Sequence, residues 1–219
     1  MHSALRRYVV LVDFLGKALG PDYEVVLQDL SKGTNSIVAI ANNQISGRVV
    51  GAPLTDLAFS FVADGEYKKN DYKVNYKGVS PKNPNLRSST LFIKDDKGQL
   101  IGMLCINFNA GKYMDICSAL YSLVGENSFM EATAKRERTN KETETFSDSI
   151  ADVVNKVLST VFPDSSVPVS RLTQEEKMEV VAALDKKGVF LLKGAVSEVS
   201  GLLSCSSASI YRYLSMLRK

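Results

Sequence analysis

The sequence predicts an α+β fold: an N-terminal antiparallel sheet with flanking helices, followed by a small all-α unit. Three observations predict it. Two β-like runs flank an Asp-rich, Gly-ended turn at 95–98. A strongly polar stretch at 126–145 then interrupts the chain. Beyond it, apolar residues recur at three- and four-residue steps in short segments separated by caps and breaks.

The elements follow in order. Leu5, Tyr8, Val9, Val12 and Leu15 or Leu11 predict a helix over 4–18, stopped by Gly20-Pro21. Tyr23 to Leu30 and Ser36 to Ala41 are strand candidates around a polar turn. Leu54 to Val62 reads as a short helix with Thr55 or Asp56 near its start. Tyr72, Val74 and Tyr76 alternate with polar residues over 71–79, which leaves that stretch ambiguous. Ser88 to Lys94, the turn 95–98 and Gln99 to Asn107 form a hairpin whose last turn residue needs the left-handed freedom of Gly98. Its second strand is apolar on both faces. Leu100, Leu104, Ile106 and Phe108 lie on one face and Ile101, Met103, Cys105 and Asn107 on the other, the pattern of a buried central strand with a cavity on one side and a helix on the other. Met114 to Val124 resumes a helical pattern.

Three units result: 1–125 for sensing or dimerisation, 126–165 as polar linker plus amphipathic coupling helix, and 166–219 as the C-terminal helical unit. In the second, Ile150, Val153, Val154, Val157, Leu158 and Val161 make a stripe on a helix over 147–162. That stripe needs a partner, either the first unit of the same chain or a second subunit. The third opens on the capping box Thr173-Gln174-Glu175-Glu176, and its first helix closes at Lys186-Lys187-Gly188. A helix over 195–203, a tight break at Ser204-Cys205-Ser206 and a helix over 207–217 have helix-turn-helix spacing. Val199, Leu203, Cys205, Ile210 and Leu214 would glue the two helices, with the small Ser200 where they approach. Candidate DNA-binding residues are Lys193, Ser206, Ser207, Ser209, Tyr211 and Arg212. The hydroxyls suit phosphate oxygens, and Arg212 suits a guanine edge or a phosphate.

Charge supports the division. Residues 1–125 carry net +3, 126–170 net −3, and the last 49 residues again +3. The single histidine, His2, sits at a terminal position, so no His-based triad or His-rich metal site is expected. Cys105, Cys117 and Cys205 are too few and too widely spaced for a zinc ribbon and suit a reducing compartment. No apolar run reaches the roughly 20 residues of a membrane span, and the chain reads as cytoplasmic with no membrane partner. Arg87, Ser88, Ser89 and Asn107 are candidate ligand-binding residues; as catalytic groups the serines lack a base, and no enzyme is expected.

Leu86 to Ile93, with Gly102 to Asn107, resembles the YheO-like PAS domain. Phe190 to Val196, with Ser206 to Leu214, resembles the DauR-like helix-turn-helix. The resemblance covers roughly 5–115 and 160–219, with Ser209 standing for Thr and Ser200 for Ala. It implies a bacterial transcriptional regulator with a PAS-like sensor in front of a DNA-binding domain. The expected partners are double-stranded DNA, a second copy of the chain and a small-molecule effector; cofactor and effector identity stay open. The alternative is a metabolite-binding PAS-like protein whose helical tail contacts another protein, which would mask Arg212 and Lys193.

Overall fold

The computed structural model describes residues 1–33, 35–124, 143–145, 149–163, 168–191 and 194–217. The N-terminal part is a six-stranded sheet in the order β2-β1-β5-β4-β3-β6. Its strands are β1 (Tyr23–Asp29), β2 (Ile37–Ala41), β3 (Tyr72–Val79), β4 (Leu86–Lys94), β5 (Leu100–Asn109) and β6 (Thr143–Thr145). All neighbours are antiparallel except β3 and β6. The helices in this part are α1 (Arg6–Leu19), α2 (Asp56–Ala63), the single turn α3 (Glu66–Lys69) and α4 (Gly111–Val124). The α+β class and the hairpin hold as predicted, and Gly98 takes φ +76° at the end of its turn.

β5 is the central strand, and its two faces are apolar because different layers cover them. Leu104 joins Val25, Leu27 and Ile93 beneath Leu5 and Val12 of the N-terminal helical segment. Gly102 makes that approach possible, since a Cβ there would lie 2.6 Å from the Gln28 carbonyl and 2.9 Å from Leu5. On the opposite face, Met103 and Cys105 join Val26, Phe92 and Tyr76 under Leu54, Ala58, Phe59 and Phe61. β3 explains its own ambiguity. Its pairing with β4 shifts register between Lys73 and Tyr76, with Asn75 in the left-handed region at φ +60°. The alternation of side chains therefore breaks in mid-strand.

The C-terminal part holds α5 (Ile150–Val161), α6 (Gln174–Lys186), α7 (Ala195–Leu202) and α8 (Ser207–Leu217). Ser149 caps α5, accepting from the Asp152 N–H at 3.1 Å. The α5 stripe, Ile150, Val153, Val154 and Val157, is buried, and the helix packs on α6 and α7. The sequence left that stripe to the sheet unit or to a second subunit; its main contacts are its own C-terminal neighbours. Thr143–Thr145, within the stretch read as linker, form β6, while 126–142 lie outside the described residues.

One apolar cluster runs from Val26 on the sheet through α2 and α5 to Leu214. Gly188 marks the crossing. It takes the left-handed cap of α6 at φ +76°, and a Cβ there would lie 3.0 Å from Ala63 and 3.1 Å from the Phe59 carbonyl of α2.

Candidate nucleic-acid interface

The helix-turn-helix is built from local rules. The capping box starting α6 is complete: Thr173 N–H donates to Glu176 Oε2 at 2.7 Å, and Glu176 N–H to Thr173 Oγ1 at 3.2 Å. α7 ends where Leu203 N–H donates to the Val199 carbonyl, and Cys205 N–H reaches back to the Ser200 carbonyl at 3.0 Å. Ser204 carries the turn at φ +50°, a conformation that favours glycine. Lys177 Nζ donates to its carbonyl at 3.3 Å. Burial pushes the Cys205 thiol up, which keeps it a protonated packing group.

Ser206 then caps α8, its Oγ accepting from the Ser209 N–H at 3.1 Å and lying 3.0 Å from the Ser209 hydroxyl. Ser207 turns inward instead, its hydroxyl 3.2 Å from Ser200 Oγ at the point where α7 and α8 meet. Ile210, Tyr213 and Leu214 bury one face of α8 against α6 and α7. The other face is open: Ala208, Arg212 and Ser215 are exposed, and Tyr211 is 62 % exposed. The structure thus places Ser206, Ser209, Tyr211 and Arg212 along the outer side of α8 and around its N-terminus, with Ser207 in the seam behind them. Lys193 lies outside the described residues. The open N-terminus offers N–H groups and a positive dipole end to an anion.

The four residues expected to bind a small molecule divide between the faces of the sheet. Arg87 is exposed on the outer face, its guanidinium 5.0 Å from the Phe108 ring centre. Ser89, on the same side, accepts from the Asn75 N–H at 3.2 Å. Ser88 and Asn107 face inward as cross-strand partners and are buried. They belong to a row that sequence reasoning did not assemble. Asn107 donates to Glu24 Oε1 at 2.8 Å, and Ser46 donates to Glu24 Oε2 from both its hydroxyl and its N–H. Arg48, also buried, donates to the Pro53 carbonyl. Burial raises the Glu24 carboxyl above its ordinary range, against the hydrogen bonds from Ser46 and Asn107 and the charge of Arg48. Asn107 Oδ1 and Ser88 Oγ have no hydrogen-bond partner among the described residues. The one available signal was Glu24, a charge at an inward position beside Val25-Val26-Leu27; nothing local tied it to a residue 83 positions away.

Comparison with known proteins accords with both halves. The YheO-like PAS domain family matches residues 1–125, and an HTH domain family matches 153–215. The chain is similar to YheO of Escherichia coli, 26 % identical over 96 % of this chain and 83 % of that protein. It is 25 % identical to a protein of Haemophilus influenzae over 99 % of this chain and 92 % of the relative. It is 26 % identical to the transcriptional regulator DauR of Pseudomonas aeruginosa over 99 % of this chain and 95 % of that one.

Proposed function

The chain belongs to the family of YheO-like PAS domain proteins, and from that premise we propose that it is a transcriptional regulator that binds double-stranded DNA through α8. The observation that carries this reading is the division of α8 into a buried face, Ile210, Tyr213 and Leu214, and an open one bearing Tyr211 and Arg212 beside a serine-capped N-terminus. A helix so placed enters a major groove by its N-terminal end. Arg212 then reads a base edge or clamps a phosphate, and the Ser206 and Ser209 hydroxyls donate to phosphate oxygens. The outward side of this helix carries Arg212 and Ser215 together with the exposed Tyr211, Met216 and Leu217. One three-helix unit offers few contacts, so the reading includes a homodimer on two half-sites about one helical turn apart.

The sensing end of the same reading is the inner row of Glu24, Ser88 and Asn107. These residues are buried, and the segment 42–55, whose Ser46 holds Glu24, is the part that would move to admit an effector. The effector must present a hydrogen-bond donor to Asn107 Oδ1.

The test is a fluorescence-anisotropy titration of the full chain with the DNA upstream of its own gene at two salt concentrations. Affinity is expected to fall steeply with salt, as for neutralisation of roughly 4–8 phosphates. Arg212→Ala is expected to lose about 1–3 kcal/mol with the fold intact. A salt-insensitive titration, or unchanged affinity in the variant, overturns this assignment.

A further inference from the structure

α4 is the least buried long helix in the described structure. From Gly111 to Leu123 none of its side chains is buried, although nine of its fourteen residues are apolar. Tyr113, Ile116, Leu120 and Leu123 follow one another at steps of three, four and three, the spacing of a two-stranded seam. They are 43 %, 57 %, 56 % and 83 % exposed. Ser118 and Tyr121, the partly covered positions, lie on the other side of the helix. Isolated helices of this length are marginal in water, so a helix with this composition needs an apolar partner.

We infer that the partner is α4 of a second copy, the two helices pairing in parallel along this seam. The charge pattern suits that occupant. The helix carries only Lys112 and Asp115, and Lys112 is held by Asp22 at its root. A charged partner finds nothing to pair with, and a lipid surface finds no basic face. A second α4 meets its own uncharged seam with no like-charge repulsion. The four seam residues expose on the order of 500 Å² per copy, so their pairing buries at most about 1,000 Å², the low end for a specific interface. The root of the helix is fixed for the purpose. Tyr113 donates to Asp22 Oδ2 at 2.7 Å, its ring sits 5.2 Å from that of Phe108, and Asn109 Oδ1 accepts from the Gly111 N–H. The parallel sense rests on the DNA-binding reading, because it sends both C-terminal units off the same end of the pair.

Sedimentation equilibrium of the full chain without DNA tests the pairing. The wild type is expected at twice its 24.0 kDa. The double variant Ile116→Glu/Leu120→Glu is expected at the monomer mass with an unchanged circular-dichroism spectrum, since both side chains already face water. A monomeric wild type overturns the inference. So does a double variant that stays dimeric, which would move the interface to the exposed Val10 and Phe14 of α1 or to the Tyr72, Val74 and Leu91 patch. Orientation is read with Leu120→Cys in a Cys117→Ser/Cys205→Ser background under oxidation. Parallel pairing places residue 120 beside its copy and gives a covalent dimer; no cross-link in a protein of dimer mass overturns the parallel sense. Because the mass is measured without DNA, loss of DNA binding and loss of pairing are separate results.

Discussion

Ser204 shows what a single residue costs this fold. The chain turns between α7 and α8 at φ +50° with a side chain in place. A left-handed non-glycine residue costs roughly 1–2 kcal/mol. Ser204→Gly relieves this at the expense of a more flexible unfolded chain, so a net gain of about 0.5–1 kcal/mol is expected, with DNA affinity unchanged. Differential scanning calorimetry checks it; a lowered midpoint would mean that the Ser204 side chain contributes more than the strain costs. The need for a turn here was legible, because Ser206 and the apolar spacing of Leu203, Cys205 and Ile210 mark it. The Glu24–Asn107–Ser88 row was not. Each member looks like an ordinary strand residue, and only the pairing of β1 with β5 and β5 with β4 sets them side by side. Arg87 and Ser88 looked like one cluster in sequence, but strand alternation sends them to opposite faces.

At the scale of an element, the root of α4 is the place where the sheet grips its exit helix. The Lys112 ammonium and the Tyr113 hydroxyl, in that order, hold the Asp22 carboxyl below its usual 3.8, against a smaller opposing effect of burial. A carboxyl lowered by folding contributes stability above its ordinary value and loses it as pH falls through the depressed one. The grip is therefore constant from pH 5 to 8 and weakens only in acid. Asp22→Asn removes the charge at every pH. Hydrogen exchange over 111–118 is expected to speed up in that variant at pH 7, with the core strands unaffected. Equal protection in variant and wild type would assign the root to the Phe108–Tyr113 stacking instead. Elements with local signals were the legible ones: the capping box of α6, the Gly98 turn and the Thr55 cap of α2. The partner of the α5 stripe was not legible, since periodicity shows that a face is apolar without showing what meets it. β6 was hidden for a related reason: Thr143–Thr145 form a strand only because β3 offers an edge.

For the whole molecule, one apolar cluster runs from the sheet to α8, and the two halves are expected to unfold together. Gly188 stands at the crossing, so Gly188→Ala strains the cap of α6 and presses on Phe59 and Ala63 together. A loss of about 1–3 kcal/mol is expected, in one cooperative unfolding transition in both wild type and variant. Two separate transitions in the wild type would show that the halves unfold independently. The sixth strand adds an order of events to this unity. While the chain leaves the ribosome, β3 stays a bare margin after β1 to β5 have emerged, ready to recruit a neighbouring nascent chain. That margin closes at its Lys77–Val79 end only when Thr143–Thr145 appear and lie down along it, so a product cut short near residue 125 would keep bare the stretch that the finished protein covers.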